Sequence, residues 1–312
     1  MGKRMDYSDV RGFNIHGDWG CNGVAEWLDF DAERYKKMIA IGKKCFPGMN
    51  TVRVWLSFDA YAADKRKFLN AVKIAADILT QADLNIIPVY LNGWFGIPSF
   101  GGFVLESIQD FQLPFYVSYI RDAAKTLNDA NVLMHDVSNE PFNNSWHNIQ
   151  AVVKFLEKMV AEIRRIDDRA VTIGSQGYTS AGDIDALAPL VDVFSMHPYN
   201  INNLSLCEFE KEFGRIIDYL KPFGKPYLIT ECVWGSLDAE SRRSYLETEL
   251  ATYDKFKVGF LCHSLFTSPV ADLHPLSEHE ISDKALYMAF LDKDFNIRPY
   301  HDIFNKYAKA FK

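Results

Sequence analysis

Residues 132–174 read VLMHDVSNEPFNNSWHNIQAVVKFLEKMVAEIRRIDDRAVTIG and decide the fold. The stretch opens with an apolar run at 132–138 and closes with another at 170–174, each of a length typical of a buried strand. Between them, over 148–166, apolar residues recur at spacings of three and four, which predicts an amphipathic helix. A strand, a helix and a second strand in this order predict a βαβ unit with parallel strands.

The same alternation continues along the whole chain of 312 residues. Apolar runs predict strands at 11–15, 51–56, 86–91, 132–138, 170–174, 193–196, 227–230 and 259–263. Helices are predicted at 31–44, 65–81, 113–128, 148–166, 183–189, 206–221, 238–256 and near 300–310. This pattern predicts an α/β fold, a (β/α)8 TIM barrel that spans 1–312 as a single domain. A doubly wound open sheet is the alternative, but GFNIHGDWG at 12–20 lacks the expected G-x-G-x-x-G loop.

Composition excludes several classes of partner. The net charge of −7 predicts no nucleic-acid binding, and no apolar run is long enough to cross a membrane. Five scattered cysteines without CxxC spacing predict neither a disulfide framework nor a structural zinc site. The chain as written shows no signal peptide, so we expect a cytoplasmic protein, or a secreted one if a signal peptide was removed. The oligomeric state stays open.

Two glutamates stand where the active site of such a barrel is built, at the carboxyl ends of the strands. Glu140 follows the fourth apolar run and Glu231 follows the seventh. Desolvating an unpaired carboxylate is costly, so its placement there predicts a function. A carboxyl pair about 5 Å apart is the geometry of retaining glycoside hydrolysis. Further candidates at this face are His16, Asp18, Trp19, Arg53, Trp94, Asn139, Trp146, His197, Tyr199, Trp234 and His263.

Four segments carry a resemblance to a known family. The segments HDVSNEP, PYLITE, MNTVRVW and VDVFSMHPY resemble those on strands four, seven, two and six of glycoside hydrolase clan A. The pattern is most similar to that of the cellulase family, family 5. The resemblance implies a barrel in which Glu140 is the acid/base and Glu231 the nucleophile. It also implies that Asn139 binds the sugar 2-hydroxyl, that Arg53 lies near the nucleophile and that Tyr199 hydrogen-bonds it.

One residue departs from the family pattern. The family usually has a tryptophan at the end of strand eight, beneath the sugar that is cleaved, whereas GFLCHSLF places His263 there. Trp234 is a candidate for a substitute sugar-binding face. His197 is expected to support the reaction, and the substrate-binding set with weaker signals is His16, Trp19, Trp94, Trp146, Trp234 and His263.

These features predict a retaining hydrolase of β-linked glucan- or mannan-type oligosaccharides or polysaccharides, which needs no metal or other cofactor. Two alternatives stay open. Glu140, His197, Glu231 and His263 could surround a divalent ion in a metal-dependent, sugar-isomerase-like barrel, which the positive charge of Arg53 disfavours. A non-catalytic carbohydrate-binding barrel is favoured by His263 alone. The loops at 93–112 and 267–283 are candidate walls of the cleft, and terminal or internal cleavage stays undecided.

Overall fold

Eight short apolar segments form parallel strands that close into a barrel. The computed structural model describes residues 6–20, 22–93, 108–143, 148–175, 181–268, 271 and 287–309. Strands β1 to β8 are Arg11–Ile15, Thr51–Trp55, Asn85–Asn92, Met134–Asn139, Ala170–Ser175, Phe194–Met196, Tyr227–Ile229 and Phe260–Cys262. Each strand pairs with the next, and β8 pairs with β1. The (β/α)8 prediction is confirmed, and the open-sheet alternative is wrong because the first and last strands are hydrogen-bonded neighbours.

Helices connect the strands on the outside of the barrel. Helices α1 to α10 are Gly23–Leu28, Ala32–Cys45, Phe58–Ala63, Lys65–Gln81, Leu113–Thr126, Ile149–Arg164, Ala181–Leu187, Leu206–Leu220, Ala239–Phe256 and Phe304–Tyr307. Two 3-10 turns lie at Lys221–Phe223 and His301–Ile303. The predicted helices are present, but the last is a 3-10 turn followed by four helical residues. No helix in the described part of the chain is long and apolar enough to cross a bilayer.

The sequence pattern does not predict the short helices α1 and α3. Each begins at a polar residue whose side chain accepts a hydrogen bond from the first turn, Asn22 for α1 and Ser57 for α3. Asp238 caps α9 in the same way, by accepting from the backbone N–H of Ser241 at 2.7 Å. These caps fix the residues at which the connecting loops end and the helices begin.

The interior of the barrel is apolar at one end and charged at the other. Toward the amino-terminal ends of the strands, a buried cluster closes the barrel, formed by Tyr7, Val10, Ile87, Met134, Val193, Leu228 and Leu261. Toward the carboxyl ends, the fully buried side chains include Arg53 and Asp136. Because successive strand residues alternate between the two faces, the inward positions of β4 place Met134 in the apolar layer and Asp136 in the polar one. The barrel therefore presents its charges at the mouth, where the active site is expected.

Gly12 supplies the first test of the fold. A Cβ at this position of β1 would lie 1.7 Å from the backbone oxygen of Thr51 on β2. We expect Gly12→Ala to destabilise the protein by about 2 kcal/mol or more, because two paired strands would have to separate. Denaturant unfolding measures the difference. The matched control is Gly214→Ala in α8, where a Cβ meets the Phe256 ring at 3.5 Å. That variant should be neutral or stabilised by up to about 1 kcal/mol, since alanine favours a helix. Equal stability of the two variants would contradict the packing.

Candidate active site

The side chain of Arg53 is the centre of the hydrogen-bond network at the mouth. Arg53 lies on β2 and is fully buried. Its Nε donates to Asp136 Oδ2 at 2.9 Å, and its Nη1 donates to Asn14 Oδ1 at 2.9 Å and also to Glu231 Oε1. Its Nη2 donates to Asn139 Oδ1 at 2.9 Å. One guanidinium on β2 therefore joins side chains from β1 and β4 to Glu231, two residues after the end of β7.

Two carboxylates share this one cation. Burial raises the pKa of Asp136 to about 6, although Arg53 and the backbone N–H of Gly174 act to lower it. Burial by itself would lower the pKa of Arg53, but Asp136 and Glu231 outweigh it and the pKa is raised. The group is thus a buried guanidinium between two carboxyl groups, and each of the three has a partner, as buried ionisable groups require.

Glu231 follows β7 and has both carboxylate oxygens engaged. Its Oε1 accepts from Arg53, and its Oε2 accepts from the hydroxyl of Tyr199 at 2.8 Å. Burial, with the charges of Glu231 and Glu140, raises the pKa of Tyr199 well above its usual range. The phenol therefore keeps its proton and stays a hydrogen-bond donor to Glu231.

Glu140 directly follows β4 and has an unusual backbone conformation. Its φ is +42°, a left-handed value that is uncommon outside glycine. The conformation is supported by its own backbone N–H, which donates to Gly174 O at 2.8 Å. Neighbouring Gly93 also allows it, because a Cβ on Gly93 would lie 2.3 Å from the backbone oxygen of Glu140. The side chain of Glu140 accepts from Asn143 Nδ2 at 3.0 Å through Oε2.

His197 lies between the two glutamates. Its Nδ1 is 2.7 Å from Glu140 Oε1 and 3.6 Å from Glu231 Oε2. Its Nε2 is 3.0 Å from the hydroxyl of Thr230, which in turn contacts the hydroxyl of Ser195. Burial lowers the pKa of His197 to about 3, so the imidazole is neutral at physiological pH. A neutral ring can hold Glu140 in place without taking its proton.

The same three residues have the spacing of a metal site. Glu140, His197 and Glu231 each offer one ligand atom, and these atoms lie within 4.8 Å of one another. The donor set suits a divalent cation poorly, because the guanidinium of Arg53 contacts one of the carboxylates and has the same sign as the ion. His263, the fourth ligand of that alternative, does not belong to this group.

His263 instead joins an aromatic cluster at the ends of β1, β2 and β8. Its ring centroid is 6.5 Å from that of His16 and 6.4 Å from that of Trp55. His16 and His263 are both buried. His16 Nδ1 lies 3.3 Å from Glu26 Oε2, so α1 orients this side chain. Two imidazoles and one indole therefore border the mouth on this side.

The remaining predicted residues are in different surroundings. Trp234 contacts the Tyr199 ring edge-on at 5.2 Å, which brings it to the Glu231 side of the site. Trp19 donates to the backbone oxygen of Glu26 and packs against the rings of Phe30, between α1 and α2, and Tyr35 on α2. Asp18 is paired with Arg34 at 2.8 Å. The predicted residues Trp94 and Trp146 lie outside the described residues.

Sequence reasoning missed several members of the network. Asn14 and Asp136 lie inside strands, where alternation places them inward but does not say which partner they meet. Asn92 accepts from Asn139 Nδ2 at 3.0 Å, and Asn143 contacts Glu140 from the following turn. A charged residue within an otherwise apolar strand, as Asp136 is, was the available signal.

A family model described as Cellulase (glycosyl hydrolase family 5) matches residues 6–264, most of the chain. The chain belongs to this family. The family falls within glycoside hydrolase clan A, and the matched stretch includes every residue of the Arg53 network. The family resemblance deduced from the four sequence segments is confirmed. No sequence among the curated proteins matches the chain.

Solved structures of family 5 share the fold. The exo-beta-1,4-mannosidase from Opitutaceae bacterium strain TAV5 superposes with a TM-score of 0.77 at 16% identity, over 96% of this chain and 59% of the mannosidase. This chain thus spans well under two thirds of that protein. A GH5_18 protein from Streptomyces cattleya, solved with GlcNAc, gives 0.74 at 14% identity, over 96% and 80% of the two chains. Pseudomonas stutzeri endoglucanase Cel5A gives 0.67 at 16%, over 97% and 94%. At these identities the likeness establishes the fold alone.

Asp136 tests the Arg53 network. We expect Asp136→Asn to destabilise the protein by about 3–5 kcal/mol at pH 7, because it removes one partner of a buried ion pair and keeps the shape of the side chain. The measurement is denaturant unfolding. Asp77→Asn is the control, since the Asp77–Lys73 pair on α4 is exposed and surface pairs contribute about 0–1 kcal/mol. If Asp136→Asn unfolds at the wild-type midpoint, the buried pair does not stabilise the barrel.

Proposed function

We propose that the protein is a retaining β-glycosidase that hydrolyses β-linked glucan- or mannan-type chains by double displacement. The observation that carries the proposal is the spacing of two carboxyl groups across the mouth. One oxygen of Glu140 and one of Glu231 lie within 4.8 Å of each other. Retaining enzymes hold the pair about 5–5.5 Å apart, whereas inverting enzymes need about 6.5–9.5 Å to fit a water molecule. The separation supports direct attack on the sugar by a carboxylate.

Glu231 is the nucleophile in this proposal. The hydrogen bonds from Arg53 and Tyr199 favour its ionised form and fix the orientation of its carboxylate. In the first step a Glu231 oxygen bonds to the anomeric carbon as the bond from that carbon to the leaving oxygen breaks. The product is a glycosyl-enzyme ester on Glu231, and the leaving sugar departs with a proton from Glu140.

Glu140 serves first as acid and then as base. Once it has given its proton to the leaving oxygen, it is a carboxylate beside the glycosyl-enzyme. It then accepts a proton from water as the water oxygen attacks the anomeric carbon, which regenerates both glutamates. His197 and Asn143 hold the Glu140 carboxyl through separate oxygens, at 2.7 and 3.0 Å. Because burial lowers the pKa of His197 to about 3, its ring is a weak base and does not take the proton from Glu140.

The sugar-binding residues follow from the same geometry. The amide oxygen of Asn139 accepts from Arg53, and one of its N–H groups donates to Asn92. Its second N–H is therefore the donor proposed for the sugar 2-hydroxyl. The class of substrate is inferred from family 5 structures described as a mannosidase and an endoglucanase. His263, with His16 and Trp55, would form the polar wall of the cleavage subsite.

Product analysis tests the proposal. We would incubate the protein with β-linked gluco-, manno- and xylo-oligosaccharides and identify the products by mass spectrometry, with Glu231→Ala in parallel. We expect the wild type to cleave a gluco- or manno-oligosaccharide and the variant to lose at least about 10³-fold in rate. Product lengths separate terminal from internal cleavage. No cleavage of any sugar by the wild type would favour the non-catalytic binding barrel.

The cluster of Glu140, His197 and Glu231 keeps a metal-dependent reaction as the second candidate. The discriminating control is the same incubation after treatment with a chelator. We expect an unchanged rate, because the proposed mechanism uses only side chains. Loss of activity that returns on adding a divalent ion would replace the glycosidase mechanism with a metal-assisted one.

Glu140→Gln separates the acid role from a structural one. The amide cannot donate a strongly acidic proton, so we expect cleavage of unactivated oligosaccharides to fall by about 10²–10⁴-fold. On a dinitrophenyl glycoside, whose leaving group needs no proton, the first turnover should stay fast while hydrolysis of the glycosyl-enzyme becomes slow. Rapid-mixing kinetics would record this as a burst of dinitrophenolate. An equal loss on both substrates in the first turnover would contradict the assignment.

A further inference from the structure

Glu249 has no part in the proposed chemistry, yet its carboxylate contacts both loops that carry the nucleophile side of the site. It lies on α9 and is fully buried. Its Oε1 accepts from the backbone N–H of Asn200 at 2.9 Å, one residue after Tyr199. Its Oε2 accepts from the backbone N–H of Val233 at 2.7 Å, two residues after Glu231. One side chain is thus shared by the loops after β6 and β7.

Two further features show that the arrangement is built around this carboxylate. The hydroxyl of Tyr253, one turn along α9, lies 3.2 Å from Glu249 Oε2 and 3.0 Å from the backbone oxygen of Pro198. It therefore adds a second contact to the loop after β6. Val233 has a φ of +71°, which is rare for a β-branched residue, and its N–H is the group that Glu249 binds. The loop after β7 is held in a conformation that valine does not prefer.

We propose that Glu249 is a positioning residue that sets the separation of the Tyr199 hydroxyl and the Glu231 carboxylate. These two groups are hydrogen-bonded at 2.8 Å, and each belongs to a loop that Glu249 binds through the backbone. The inference rests on the proposed function, in which that hydrogen bond holds the nucleophile. Displacing a reacting group by about 1 Å can lower a rate by about 100-fold, so this control of position is catalytically relevant.

Both oxygens of the Glu249 carboxyl group accept from backbone N–H donors, one in each loop. In Glu249→Gln one oxygen becomes an NH2 group, which cannot accept from a backbone N–H, so one loop loses its hydrogen bond. We expect kcat to fall by about 10- to 100-fold, while KM stays within about twofold of the wild-type value. The reason is that the substitution displaces the nucleophile and leaves the more distant sugar-binding subsites in place.

A double-mutant cycle tests whether Glu249 acts through Tyr199. Glu249→Gln and Tyr199→Phe are measured singly and together on the oligosaccharide that the wild type cleaves. If Glu249 acts by positioning this hydrogen bond, the double variant is about as slow as Tyr199→Phe alone. Glu162→Gln on α6 is the matched control, a buried glutamate bound by Arg121 and Arg165. It should leave kcat close to wild type. If the fold-loss in kcat of the double variant equals the product of the losses of Glu249→Gln and Tyr199→Phe, the proposal is overturned.

A measurement without substrate separates this inference from the proposed function. Amide hydrogen exchange reads the N–H groups of Asn200 and Val233 directly. We expect at least one of them to lose about tenfold or more of its protection in Glu249→Gln and neither to change in Glu162→Gln. Unchanged protection of both would overturn the positioning role. If the wild type cleaves no sugar, the proposed function fails, and the exchange result still decides whether Glu249 holds the loops.

A milder variant covers the case in which Glu249→Gln does not fold. Tyr253→Phe removes one hydroxyl and leaves the volume of the ring and both backbone hydrogen bonds of Glu249 in place. We expect a smaller fall in kcat than for Glu249→Gln. When Tyr253→Phe is combined with Tyr199→Phe, the double variant should again be about as slow as Tyr199→Phe alone. Full multiplication in this second cycle would overturn the proposal as well.

Discussion

A guanidinium enclosed in the barrel is the interaction on which the rest of the site depends. Arg53 has no access to water, so it must be surrounded by acceptors, and Asp136, Asn14, Asn139 and Glu231 supply them. The requirement fixes the direction in which those side chains point and leaves a net negative charge, since two carboxylates face one cation. A negative mouth suits a reaction whose transition state carries positive charge on the sugar ring.

Closure of the sheet turns this local requirement into a catalytic geometry. Glu140 and Glu231 are 91 positions apart in the chain, yet they face each other because β4 and β7 both end at one rim. Their surroundings differ, as the separate roles of nucleophile and acid/base in the proposed mechanism require. Glu231 receives hydrogen bonds from a cation and a phenol, whereas Glu140 is held by a neutral imidazole and an amide. The first environment places a positive charge beside the carboxyl group, and the second does not.

The sequence predicts the parts of this structure that depend on periodicity. All eight strands were found, because each is an apolar run next to an amphipathic helix, but α1 and α3 were missed because six residues are too few to show a helical period. Glu140 and Glu231 stood out as charges that end apolar runs. Glu249 gave no such signal, since it lies in a helix of mixed polarity and its role depends on two loops brought to it by folding.

Backbone conformation explains why the two loops need such support. Glu140 and Val233 both have positive φ, and neither is glycine, which would adopt that conformation without cost. A residue in this region is disfavoured by about 1–3 kcal/mol and persists where its neighbours fix it. Gly174 O binds the N–H of Glu140, and the Glu249 carboxylate binds the N–H of Val233. Glu140 and Glu231 are thus presented from backbone that the barrel or α9 holds in place, so in the proposed mechanism the precision of the site originates in groups outside the reacting pair.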